Sequence, residues 1–126
     1  MRFFMLELHV QDLQQSLEWY RQLGWQMELL RPENGFVLLN NDSCRLALKQ
    51  DPVKRQGEYS SDSWSVRVHF EIPNLEDIMS QLAARGLLPY KTAKTSPEGY
   101  RRVIYRDPDG YEICLFQWLH KELGNG

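Results

Sequence analysis

The chain has 126 residues, enough for one domain with a sizeable core, and its 42% hydrophobic and 25% charged content is ordinary for a soluble globular fold. A formal net charge of −2 argues against nucleic acid as a partner, because phosphate binding wants a basic face. No apolar run approaches the roughly 20 residues that cross a bilayer and no secretory leader pattern opens the chain, so no membrane partner and a cytoplasmic location are expected.

Phe3 to Val10 alternates as a strand does, with Leu6, Leu8 and Val10 on one face and Met5, Glu7 and His9 on the other. Asp12 caps a helix in which Leu13, Leu17, Tyr20 and Leu23 recur at helical spacing until Gly24 ends it. Trp25 to Leu30, Phe36 to Leu39 and Cys44 to Leu48 read as three more strands, with turns at 31–35 and 40–42. In the last of them Leu46 and Leu48 share one face, and Arg45 and Ala47 take the other. Residues 49–65 are polar, with Pro52, Gly57 and a serine run, and read as a linker between halves over about 50–64. A lid, with Tyr59 and Trp64 at its mouth, is the alternative reading of that stretch.

The second half repeats the order. Val66, Val68, Phe70 and Ile72 alternate with Arg67, His69 and Glu71. Asn74 caps a helix with Asp77 as its capping-box partner, Leu75, Ile78, Met79 and Leu82 form its apolar stripe, and Gly86 closes it. Leu87 to Thr92 reads as a strand. Arg101 to Tyr105 and Tyr111 to Trp118 make a final hairpin about Asp107-Pro108-Asp109-Gly110, where Pro108 presets φ and Gly110 supplies a positive one. The tail from Leu119 onward is short and polar. Cys44 and Cys114, the two cysteines, lie in apolar strand-like runs and read as buried free thiols, in keeping with the cytoplasm.

A shift of 62 places lays Leu6 on Val68, Leu8 on Phe70, Asp12 on Asn74, Leu13 on Leu75, Tyr20 on Leu82 and Gly24 on Gly86. The expected fold is therefore α+β: two βαβββ modules, about 1–50 and 64–119, within a single domain over 1–126. Their sheets would sit edge to edge as a curved eight-stranded half-barrel with a concave pocket.

Leu8-His9-Val10-Gln11-Asp12-Leu13 with Trp19-Tyr20 and Leu23-Gly24, and the terminal stretch Arg106 to Leu115 around the Asp-Pro-Asp-Gly turn, resemble the glyoxalase / bleomycin-resistance / extradiol-dioxygenase group, the vicinal oxygen chelate superfamily. The resemblance covers nearly the whole chain. It implies one metal ligand on each of four strands: His or Gln, then Glu, then His, then Glu. Carried over, these positions fall on Met5, Ala47, Arg67 and Cys114. A thioether, a methyl, a guanidinium and a thiol do not make the usual oxygen- and nitrogen-donor centre, so neither metal nor cofactor is expected. A relocated site on Glu7 and His69 with Glu112 as third donor is weighed and ranked below a hydrogen-bonded polar patch. His9 is assigned to the rim, and His120 has no role.

What remains is binding. Arg45, Arg67, Arg102 and His69 would supply donors, Met5 and Phe116 (with Ile104) apolar walls, and Glu7, Ala47 and Cys114 the rest of the lining. An uncompensated guanidinium in a cavity is costly, so Arg67 requires Glu7, another carboxylate or an anionic ligand, with Glu7 ranked first. Cys114 would be a nucleophile only if Arg67 and His69 lowered its pKa; a packed thiol is the default. The reading is a metal-free, bleomycin-resistance-like protein that holds a small, plausibly anionic organic molecule in the cup between the modules. A homodimer is implied by the resemblance alone. The alternative is an altered-site enzyme of the same group, lyase- or dioxygenase-like, and whether chemistry is catalysed stays open. A third alternative is a degenerate member kept as a protein-interaction partner.

Overall fold

The computed structural model describes residues 1–42, 44–51 and 66–119. The expected linker, with Tyr59 and Trp64, lies outside the described residues apart from Gln50 and Asp51 at its start, as does the tail beyond Leu119 with His120. The chain divides into two compact units, Met1–Ser60 and Ser61–Gly126.

In the first unit, strand β1 (Leu6–Val10) leads into helix α1 (Leu13–Leu23), then β2 (Gln26–Arg31), a short 3-10 turn (Pro32–Asn34), β3 (Phe36–Asn41) and β4 (Cys44–Gln50). These strands form a four-stranded sheet in the order β1-β4-β3-β2. The second unit runs β5 (Arg67–Glu71), α2 (Leu75–Ala84), β6 (Lys91–Thr95), β7 (Tyr100–Arg106) and β8 (Glu112–Trp118), in the order β5-β8-β7-β6. In both, the first strand pairs parallel with the last, and the other pairings are antiparallel. The architecture is α+β, two modules with one helix against each mixed sheet. Among the described residues no helix is long and apolar enough to cross a membrane.

The duplication extends to single hydrogen bonds. Asp12 accepts from the Gln15 N–H and Asn74 from the Asp77 N–H, each at 3.1 Å. Two residues earlier, Gln50 of β4 accepts from the Leu13 N–H and Gln117 of β8 from the Leu75 N–H, each at 2.8 Å. Two of the N–H groups that a helix start leaves orphaned are thereby satisfied in each module, one of them by the last strand. The stops match as well. Gly24 and Gly86, at φ 115° and 87°, turn the chain out of the helix, and Trp25 and Leu87 donate back to Tyr20 and Leu82.

Leu13, Leu17, Tyr20 and Leu23 of α1 are buried against the side of the sheet that carries Leu8, Val10, Val37, Leu39, Leu46 and Leu48. Their counterparts are Leu75 and Leu82 of α2 with Val103, Tyr105, Ile113 and Leu115. At the final hairpin Asp107 Oδ1 accepts from the Asp109 and Tyr111 N–H groups at 2.9 and 2.8 Å, and Gly110 sits at φ 90°.

Three local expectations are corrected. The sixth strand lies at Lys91–Thr95 rather than from Leu87. Leu87 is buried just after α2, Leu88 is exposed, and Pro89 has no N–H to give a ladder. The first strand starts at Leu6 rather than Phe3, and Phe3 is 80% exposed. Cys44 is exposed, because it opens β4 directly after the turn; only Cys114 is the buried thiol foreseen.

Candidate functional site

Register assigns each strand residue to one side of its sheet, since directly paired residues point the same way and neighbours along a strand alternate. In the second module Val68, Phe70, Ile113, Leu115, Val103 and Tyr105 form rows on the helix side. The opposite side carries the rows Arg67–Glu112–Arg106, His69–Cys114–Ile104 and Glu71–Phe116–Arg102, and beyond them Tyr100–Trp118. Arg67, His69, Arg102, Cys114 and Phe116 therefore share one face.

That face has a charged end and an aromatic end. At the charged end the buried Glu112 carboxylate accepts from Arg67 Nε at 2.8 Å and lies 2.6 Å from Arg67 Nη2, with Arg106 Nη2 at 4.0 Å from its other oxygen. Arg106 also stacks on the Tyr90 ring, 3.8 Å from its centroid. Glu112 is thus the internal partner that Arg67 needs, where the sequence ranked Glu7 first. Parallel pairing of β5 with β8 sets Glu112 directly across from Arg67, and Glu7 bonds His9 at 3.0 Å instead. At the aromatic end Tyr100, Phe116 and Trp118 contact one another in pairs, with centroids 5.2 to 5.6 Å apart. The rings lie edge-on or tilted, as the ring quadrupole favours.

Between the ends sit His69 and Cys114. Burial, followed by the guanidinium charges of Arg67 and Arg102, holds the His69 imidazole below its ordinary pKa. Burial raises the Cys114 thiol; Arg102 and Arg67 pull it down less strongly, and Glu112 pushes it up. Both groups are therefore neutral near pH 7. A nucleophilic cysteine needs the reverse shift, so this is a packed thiol beside a neutral imidazole.

In the first module Glu7 and Ala47 are paired and face away from Leu6 and Leu46, and Arg45 lies on that same side. Arg45 is committed: its Nε donates to Glu28 at 3.1 Å, Asn40 donates to the same carboxylate, and its guanidinium covers the Phe4 ring at 4.6 Å. Met5, just ahead of β1, is half-buried.

The pairings also identify equivalent positions in the last strands. Leu6 pairs Leu46 as Val68 pairs Ile113, and Glu7 pairs Ala47 as His69 pairs Cys114, so Ala47 corresponds to Cys114 and Arg45 to Glu112. The residues at the family's four ligand positions do not fit a transition ion. Two of them, Met5 and Ala47, offer a thioether and a methyl, the third is a guanidinium bound to a carboxylate, and the fourth is a thiol whose burial resists deprotonation. Among the described residues no three His, Cys, Asp or Glu side chains are grouped to hold a metal. Glu112, weighed in the sequence only as a third donor of a relocated site, turns out to organise this face.

The model of the Glyoxalase/Bleomycin resistance protein/Dioxygenase superfamily matches residues 2–115. Glyoxalase domain-containing protein 4 of Rattus norvegicus is 34% identical over 114 residues, which is 86% of this chain but 38% of that protein; the chain thus spans well under half of its relative. Among solved structures, a glyoxalase/bleomycin resistance protein/dioxygenase from Alicyclobacillus acidocaldarius superposes with a TM-score of 0.77 at 15% identity, covering 97% of this chain and 95% of the other. A glyoxalase/bleomycin resistance protein from Catenulispora acidiphila gives a TM-score of 0.67 at 23% identity, covering 90% and 95%.

Proposed function

Since the chain belongs to the glyoxalase/bleomycin resistance protein/dioxygenase superfamily, we propose that it is a metal-free, small-molecule-binding member of the bleomycin-resistance-like kind, taking an organic ligand on the sheet face that carries Arg67, His69, Arg102, Cys114 and Phe116. One observation carries the reading: the third family ligand position is Arg67, clamped to the buried Glu112. A guanidinium fixed there repels a cation, and its carboxylate partner has an oxygen committed to it. A homodimer, expected from the family resemblance, and a cytoplasmic location, expected from the sequence, complete the proposal.

Metal analysis of protein purified without chelators tests the reading. Sub-stoichiometric nickel, zinc, manganese and iron is the expected result. A stoichiometric ion lost on Glu7→Ala or His69→Ala would overturn it and favour an altered-site enzyme. Ligands would appear as raised unfolding temperatures in a screen of organic acids and aromatic compounds, because binding to the native state stabilises it. Light scattering checks the dimer.

A further inference from the structure

We infer that the face around Arg102 receives a planar aromatic carboxylate, Arg102 taking the carboxylate and the Tyr100–Phe116–Trp118 cluster taking the ring. This rests on the ligand-binding reading above and narrows it to one class of compound.

Charge comes first. Three arginines on β5 and β7 are already engaged: Arg67 by Glu112, Arg101 by Glu76 at 3.3 Å, and Arg106 by the Tyr90 ring. Arg102 is half-buried and, among the described residues, makes no hydrogen bond, ion pair or ring contact. Lys94 is paired directly with it across β6 and β7, so two cations stand side by side with no anion between them. Like charges directly opposite one another on a sheet repel, and a bound anion would relieve that.

Donor geometry selects the anion. On a strand face the backbone N–H groups are spent in the ladder, so the cradle of amides that a phosphate uses is missing. A guanidinium presents a flat fork of two parallel donors, which matches the two oxygens of a carboxylate.

Shape selects the ring. Phe116 pairs directly with Arg102 and contacts Tyr100 at 5.2 Å and Trp118 at 5.6 Å, and all three rings are half-buried. They leave edges on which another ring can stack. His69 flanks Phe116 from the other side at 6.2 Å and, among the described residues, makes no hydrogen bond, so its ring nitrogens are not committed elsewhere. Burial first, and then the neighbouring Arg67 and Arg102 charges, lower its pKa.

Calorimetric titration with 2-naphthoate, benzoate, acetate, benzamide and phenyl phosphate tests the assignment. The expected order is 2-naphthoate, then benzoate, then acetate. Benzamide, which is planar but uncharged, should bind about tenfold or more weakly than benzoate, the usual worth of a charge-assisted hydrogen bond. Arg102→Gln should bring benzoate down to the level of benzamide, with Arg102→Lys in between. Phe116→Leu should weaken 2-naphthoate severalfold and leave acetate unchanged. Unliganded unfolding curves establish that each variant folds, and where Arg102→Gln does not, Arg102→Lys and Phe116→Leu carry the test. Equal binding of benzoate and benzamide, tighter binding of phenyl phosphate, indifference to the Arg102 substitutions, or no binding of any probe would each overturn the assignment. Saturable binding of a neutral compound in place of the acids would overturn this inference alone. A stoichiometric metal ion would sink the broader reading whatever the ligand ratios.

Discussion

In the first module Asp12 and Gln50 hold the start of α1, and in the second Asn74 and Gln117 hold the start of α2 at the same two distances. On the sheet sides turned away from those helices, the corresponding residues are Glu7 and His69, Arg45 and Glu112, Ala47 and Cys114, and just ahead of β1 Met5 corresponds to Arg67. No chemistry is shared within any of these pairs. The ion pairs are built in opposite senses: Arg45 reaches a carboxylate on β2, whereas Glu112 receives a guanidinium from β5. Backbone geometry, which each module needs in order to fold, is kept in duplicate. The sheet sides turned away from the helices are where the two modules differ.

The largest expected difference between the modules is in those ion pairs. Glu112→Ala strands Arg67 and Arg106 beside a buried gap and should cost about 2–3 kcal/mol, somewhat under the usual loss for a buried pair because the Arg67 side chain is 34% exposed. Glu28→Ala, at a pair about one-third exposed on both sides, should cost less than about 1 kcal/mol. Urea unfolding of both variants checks the contrast, and equal losses would break it. The caps should show the opposite pattern: Asp12→Ala and Asn74→Ala should each lose about 1 kcal/mol, alike in the two modules.

A smaller effect concerns pH. Folding holds His69 neutral, so the stability this gives is fully present above about 6.5, the ordinary imidazole value, and is lost as pH falls below it towards the lower folded value. His69→Gln should flatten the fall in unfolding temperature between pH 7 and pH 5. An unchanged slope would mean that neither burial nor the charges of Arg67 and Arg102 act on this ring. The smallest effect is at Tyr105, whose buried hydroxyl has no partner among the described residues and whose pKa is raised by burial. Tyr105→Phe should stay within about 0.5 kcal/mol of the parent or exceed it, because no hydrogen bond is given up.

Much of this frame is legible in the sequence. Alternation in Leu6–Val10 and Arg67–Glu71, the caps Asp12 and Asn74, the stops Gly24 and Gly86 and the Asp107–Gly110 turn are local signals, and local signals survive folding unchanged. Alternation also assigned Arg67, His69, Cys114 and Phe116 to one side. It could not name their neighbours. The partner of Arg67 depends on how β8 is registered against a strand 45 residues away, and sequence spacing does not encode that. The Asp-Pro-Asp-Gly turn held a clue, because it fixes where β8 begins and so puts Glu112 first in line. Leu87 and Leu88 misled for another reason: an apolar pair after a helix looks like a strand when one of the two is closing the helix core.

The amides of Leu13 and Leu75 are bonded to side chains of β4 and β8, the last strands to be laid down in each half. Neither helix can unwind from its front end without letting go of a strand that comes nearly forty or more residues later, and neither strand can peel away without exposing a helix start. Each half should therefore open as one piece, and hydrogen exchange at Leu13 and Leu75 should keep pace with the slow amides of the terminal strands rather than with fraying helix ends.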